Sequence, residues 1–141
     1  MDIVHQVGVG FAGPWSMGIM ARVSQDSADT RKALEEGEAM LSDDCIFFNY
    51  LHFCRHAIEA CLEETWWDEA ARYCGVLENY SSSRPTPFAG FFVARGRALA
   101  ALRGDSGDEA TLREVRRLRE VAERSRLRAA LPALEQALSV A

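Results

Sequence analysis

Residues 45–63 carry two stripes of side chains that both repeat at helical spacing. One stripe is apolar and consists of Phe47, Tyr50, Leu51, Cys54, Ile58, Cys61 and Leu62. The other is polar, advances by steps of 3, 4, 3 and 4 residues, and consists of Asn49, His52, His56, Glu59 and Glu63. This pattern predicts an amphipathic helix with one buried and one solvated face. Such a helix needs other elements against which its apolar stripe can pack.

The rest of the chain predicts further helices separated by short breaks. Apolar residues recur at helical spacing, and Ser81 to Pro87 and Gly104 to Gly107 interrupt the pattern. The one candidate strand is Ile3 to Val7, and a single strand makes no sheet. We therefore predict an all-α fold in one domain, 1–141. Its predicted parts are hairpins at about 14–42, 45–80 and 87–125, followed by a capping helix at 127–139.

Charge and cysteine content exclude several classes of protein. A net charge of −5 makes nucleic acid and anionic membranes poor partners. Residues 1–20 contain neither Lys nor Arg, and no stretch is long and apolar enough for a membrane span, so we predict neither a secretory signal nor an anchor. We expect a cytoplasmic protein whose four cysteines, all within or beside apolar stripes, remain free thiols.

Two helix junctions resemble each other and indicate an internal repeat. Residues 67–70 read Trp-Asp-Glu-Ala and residues 107–110 read Gly-Asp-Glu-Ala, so their alanines lie 40 residues apart; Ala33 lies 37 residues before Ala70. Here the chain resembles the tetratricopeptide repeat (TPR), in which an alanine early in the second helix lets paired helices approach closely. The resemblance implies a TPR-like right-handed stack of antiparallel helix hairpins, with Ala70 buried at a helix crossing.

A narrower resemblance covers most of the chain. Residues 11–15, 55–60, 67–70 and 91–100 resemble the carboxyl-terminal repeat region of large bacterial signalling proteins. Those proteins begin with a class III adenylate cyclase domain and continue through an ATPase-like module. This chain contains neither a cyclase nor an ATPase motif, so the resemblance implies a non-catalytic regulatory or interaction segment. It also leaves open that the chain is a fragment of a longer protein, with earlier repeats before Met1.

The TPR resemblance also implies where a partner would dock. With Ala70 as the motif alanine, the concave positions of the family fall on His52, Arg55, Glu59, Leu62 and Glu63. We predict that a peptide or a neighbouring domain docks on the four polar members, with Arg55 and Glu59 making charged contacts. The alternative is a plain solvated face.

A second class of function is a small-molecule sensor. Its ligand would lie between helices near four aromatic side chains, Trp15, Trp66, Phe91 and Phe92. Aromatic residues at helical spacing more often form a core, so we rank the sensor below the interaction module.

Three other patterns could suggest chemistry. Gly8 to Gly13 matches G-x-G-x-x-G, but a dinucleotide site needs a βαβ unit, so a linker between helices is the preferred interpretation. His52 and His56 could chelate zinc, yet a closed site needs a further ligand, and we predict no metal site. Cys54 and Cys61 lie in the apolar stripe, which favours core packing over reactivity. We predict no catalytic residue and no cofactor.

The amino-terminal end of the stack predicts a possible homodimer. Repeat arrays bury each unit against the next, so an end without a neighbour exposes an apolar face. The residues that we expect on this self-association face are Val4, Val7, Phe11, Trp15 and Ile19.

Overall fold

The computed structural model describes residues 2–41, 45–102 and 108–140, and for residues 2–11 it describes the backbone alone. These ranges form seven α-helices and a short 3-10 helix at Arg128–Ala130. The α-helices are α1 (Asp2–Val23), α2 (Ser27–Ala39), α3 (Phe47–Glu63), α4 (Trp67–Ser81), α5 (Pro87–Ala101), α6 (Glu109–Arg124) and α7 (Leu131–Ser139). The described ranges contain no strand, and the predicted all-α fold is confirmed.

Side chains cap three of the helices at their amino-terminal ends. Asp26 accepts hydrogen bonds from the amides of Ala28 and Asp29 at the start of α2. Thr86 caps α5 and Asp108 caps α6 in the same way. Each cap satisfies amide groups that have no partner within the helix. These helices therefore begin close to the residues that the sequence predicts.

Helix α1 corrects the prediction for residues 3–14. Ile3 to Val7 is helical, Gly8 to Gly13 is not a linker, and Pro14 lies inside the helix instead of opening it. Glycine and proline weaken a helix locally, by about 1 and 3 kcal/mol respectively. Contacts of α1 with both α2 and α3 outweigh this local cost. Such contacts involve residues distant in sequence, so local sequence patterns do not predict them.

Helix α3 occupies the centre of the molecule. It packs against α1 on one side and α4 on the other, and it also contacts α2 and α5. One buried cluster surrounds α3 and α4, and a second lies between α5, α6 and α7; Leu62 and Phe88 border both. Ala70 is fully buried within the first cluster, as predicted.

Gly96 sets how closely α5 approaches its neighbours. A Cβ atom at this position would lie 2.6 Å from the Sγ of Cys74 and 2.8 Å from the Cγ2 of Ile58. Both distances are shorter than ordinary van der Waals contact. The helix therefore packs against α3 and α4 with a backbone segment that has no room for a side chain.

We predict opposite effects for two identical substitutions within α5. Gly96→Ala should lower the free energy of unfolding by about 1–3 kcal/mol, because the methyl group would overlap Cys74 and Ile58. Gly90→Ala should raise it by about 0.5–1 kcal/mol, because a Cβ there has no neighbour within 4 Å and alanine favours the helix. Urea denaturation followed by circular dichroism measures both. Equal effects would contradict this packing.

Candidate functional site

The polar stripe of α3 lies beneath α1 instead of facing solvent along its whole length. A Cβ atom on Gly18 of α1 would lie 3.0 Å from the Cβ of His56 and 3.4 Å from the backbone of Phe53. Asn49 and His56 are accordingly buried, at 0% and 9% exposure. The expectation of a fully solvated polar face is therefore wrong at these two positions. The sequence placed Gly18 in the first helix of the hairpin at about 14–42, but it did not indicate that this helix covers the polar stripe of α3.

The four residues predicted to bind a partner lie along the junction of α1, α3 and α5, which we call the α3 seam. His52, Arg55 and Glu59 are half-buried, and Glu63 is exposed. The imidazole of His52 contacts the rings of both Trp15 and Phe48, with centroid distances of 5.4 and 4.0 Å.

Two arginines from neighbouring helices complete the seam. Arg22 of α1 places its Nη2 atom 3.3 Å from the Oε1 atom of Glu63. The guanidinium of Arg55 lies over the ring of Phe92 in α5, 5.3 Å from the centroid. Arg95 of α5 forms a two-point ion pair with Glu59. The structure thus brings together charged groups from three helices.

Arg95 is the most deeply buried charged residue of the seam. Its side chain is 1% exposed, and its Nε atom donates to the carbonyl oxygen of Ala130 at 3.0 Å while both Nη atoms donate to Glu59. One guanidinium therefore connects α5 to α3 and to the 3-10 helix. The sequence analysis missed this role. The available signal was the spacing of Arg95 within the apolar stripe of Phe91, Phe92 and Leu99.

Burial and nearby positive charge lower the pKa values of three side chains of the seam, those of His52, Arg55 and His56. Burial lowers the pKa of His56 to about 4, and the positive charges of Arg55 and Arg22 add to the effect. Burial, followed by the charge of Arg55, also lowers the pKa of His52. The pKa of Arg55 is lowered by burial and by Arg22, with a partial offset from Glu59. Both imidazoles are therefore neutral at pH 7, and the positive charge of the seam comes from its arginines.

The buried cysteines pack as apolar side chains. Cys54, Cys61 and Cys74 are fully buried, and all four cysteines, including the half-buried Cys45, are free thiols, as predicted. Burial raises the pKa of both Cys54 and Cys61 to about 12 and that of Cys74 to about 11. A thiol must ionise to act as a nucleophile, so these three groups are inert at neutral pH. Across the described ranges, no group of three or more His, Cys, Asp and Glu side chains could hold a metal ion.

The four aromatic side chains proposed to surround a ligand lie in three different environments. Trp15 contacts Phe48 at 5.4 Å. Trp66 lies beneath the guanidinium of Arg31, 4.2 Å from the centroid. Phe91 and Phe92 pack edge to face, 5.2 Å apart, within the carboxyl-terminal core.

Comparison with protein-family models, with curated proteins and with solved structures finds no match for this chain. In the part of the chain that the structure describes, no helix has both the length and the apolar character needed to cross a bilayer. The fold and the seam thus define an all-helical protein with a charged junction between three helices.

Two arginines of α5 provide a matched test of the buried ion pair. Arg95→Met should lower the free energy of unfolding by about 3–5 kcal/mol, because Glu59 would keep its charge in a half-buried position. Arg97→Met should cost at most about 1 kcal/mol, because the pair of Arg97 with Glu78 is exposed on both sides. Chemical denaturation of both variants gives the comparison. Similar losses would show that the buried pair does not anchor α5.

Proposed function

We propose that this chain is a non-catalytic protein-interaction or regulatory scaffold, built as a TPR-like right-handed stack of antiparallel hairpins. Support comes from the order of helix contacts. Helix α1 packs on α2, α3 on α4, and α5 on α6, and the first helices of these pairs also contact one another, α1 with α3 and α3 with α5. Stacked helix pairs of this kind present an extended surface formed by their first helices.

The observation that carries the proposal is the α3 seam. Charged side chains from α1, α3 and α5 converge on it, and its Arg22–Glu63 end is open to solvent, with side-chain exposures of 34% and 53%. Polar and charged side chains at such a rim give specificity to a docked chain. We propose that a peptide or a neighbouring domain docks here through His52, Arg55 and Glu63, whereas both oxygens of Glu59 are already bonded to Arg95. By the resemblance described above, the chain would serve a bacterial, cytoplasmic signalling protein.

Selection from a library of displayed peptides tests this docking proposal. Peptides selected on the wild-type chain should bind at least about tenfold more weakly to Glu63→Ala and to His52→Ala, because both side chains lie on the proposed surface. The matched control is Glu78→Ala, since Glu78 is also an exposed partner of an arginine but lies between α4 and α5.

The selected peptides should bind Glu78→Ala as tightly as the wild type. Fluorescence anisotropy gives the dissociation constants, and thermal melts confirm that each variant is folded. Peptides that bind every variant equally would place the interaction elsewhere on the chain and contradict the proposed surface.

Self-association is a second candidate, favoured by exposed apolar side chains on α1. Three apolar side chains within residues 19–23 are exposed to solvent: Ile19 by 39%, Met20 by 56% and Val23 by 65%. Met20 and Val23 also line a groove of about 450 Å³ between α1 and α2. Trp15 is half-buried against α3, whereas the side chains of Val4, Val7 and Phe11 lie outside the described residues. We therefore centre the proposed homodimer face on Ile19, Met20 and Val23.

Sedimentation across a range of concentrations tests the dimer. The wild-type chain should shift from monomer to dimer as its concentration rises, because contiguous apolar surface favours association. Met20→Asp combined with Val23→Asp should remain monomeric. Ser16→Asp, at another exposed position on the same helix, should dimerise like the wild type. A wild-type monomer at every concentration would contradict the proposal.

A further inference from the structure

The α3 seam contains more positive than negative groups. Its guanidinium groups are those of Arg22, Arg55 and Arg95, and its carboxylates are those of Glu59 and Glu63. Glu63 pairs with Arg22, and both oxygens of Glu59 pair with Arg95. Among the described residues, no carboxylate lies within ion-pair distance of Arg55. The excess positive charge of the seam therefore resides on Arg55.

The same seam contains buried nitrogen atoms without a hydrogen-bond partner in the described part of the chain. They are Nε1 of Trp15, Nε of Arg22 and Nδ1 of His56, and the same set includes one acceptor atom, Oδ1 of Asn49, a residue that makes a further interaction. The first two can only donate, and the neutral imidazole can donate from either nitrogen. More than nine in ten buried polar groups in proteins are paired, and an unpaired one costs about 1–3 kcal/mol. The Nδ1 atom of His56 can also be the acceptor of its ring, so the seam contains two buried donors, on Trp15 and Arg22, that lack an acceptor among the described residues.

The position of Arg55 suits the binding of an oxyanion. Its guanidinium rests on the face of Phe92, which restricts its motion while leaving its N–H groups free to donate. A guanidinium offers two parallel N–H groups that match the two oxygens of a carboxylate or phosphate. Half-burial strengthens this attraction, because fewer water molecules screen the charge.

We propose that the α3 seam binds a small organic oxyanion, a carboxylate or a phosphate, through Arg55. Arg22 adds positive charge on the α1 side, and the indole N–H of Trp15 and the imidazole of His56 supply hydrogen-bonding groups beside it. The ligand neutralises the unpaired guanidinium and provides the missing acceptor. This inference uses the surface of the proposed docking function but does not require a protein partner.

Titrations followed by nuclear magnetic resonance test the site. The ¹⁵N-labelled chain is titrated with inorganic phosphate and, separately, with benzoate, at pH 7 and at constant ionic strength maintained with chloride. The indole N–H of Trp15 and the Nε–H groups of Arg22 and Arg55 should shift and saturate. The indoles of Trp66 and Trp67, which lie at the junction of α3 and α4, should not move.

A matched pair of variants assigns the binding to Arg55. Arg55→Gln should raise the dissociation constant of the better probe at least about tenfold, because the charge-assisted two-point contact is lost. Arg31→Gln should leave it unchanged, since Arg31 also lies over an aromatic ring but on α2. Should Arg55→Gln fail to fold, the comparison of the three wild-type indoles still decides the question.

The outcomes separate this inference from the docking proposal. Saturable binding of phosphate or benzoate that depends on Arg55 supports the small-ligand site, whether or not any peptide is selected. Shifts that do not saturate, or that persist in Arg55→Gln, overturn it. If only glutamate-containing peptides bind, the docking proposal stands and the small-ligand site is wrong.

Discussion

The buried guanidinium of Arg95 connects the middle of the fold to its carboxyl-terminal part. Removing a charge from water costs several kcal/mol, and the protein recovers this cost only when every donor finds a good acceptor. Here Glu59 and the carbonyl of Ala130 provide those acceptors. Because both oxygens of Glu59 bond to Arg95, the neighbouring Arg55 forms no ion pair with a carboxylate of the described residues. The positive charge of the α3 seam thus depends on the ion pair between Arg95 and Glu59.

Helix α3 is central because it can bury both of its stripes. Its apolar stripe packs into the core with α4, which is the arrangement expected of an amphipathic helix. Its polar stripe is covered by α1, where Gly18 allows the two backbones to approach closely enough to bury His56. Polar groups at this second interface specify how α1 must lie, since each displaced group would lose its partners or its packing.

The sequence was sufficient for the all-helical class, for most helix bounds from α2 onward and for the burial of Ala70. Helical periodicity and capping residues are local signals. Each capping residue bonds to amides two or three positions further along the chain, as Asp26, Thr86 and Asp108 do. The helical course of residues 2–13, the burial of His56 and the role of Arg95 could not be predicted in the same way. Each depends on a neighbour distant in sequence, such as the contact of α1 with α3 or of Arg95 with Glu59.

The missing side chain at Gly96 also determines how this stack can deform. If α5 moved along its axis by one helical turn, about four residues, Phe92 or Ala100 would take the place of Gly96 against Ile58 and Cys74. Neither residue fits, because even a single Cβ atom meets atoms closer than van der Waals contact. Sliding between helices, which many helical proteins use for shear motions, is therefore blocked at this contact. Helix α5 therefore resists axial displacement relative to α3 and α4 at this contact.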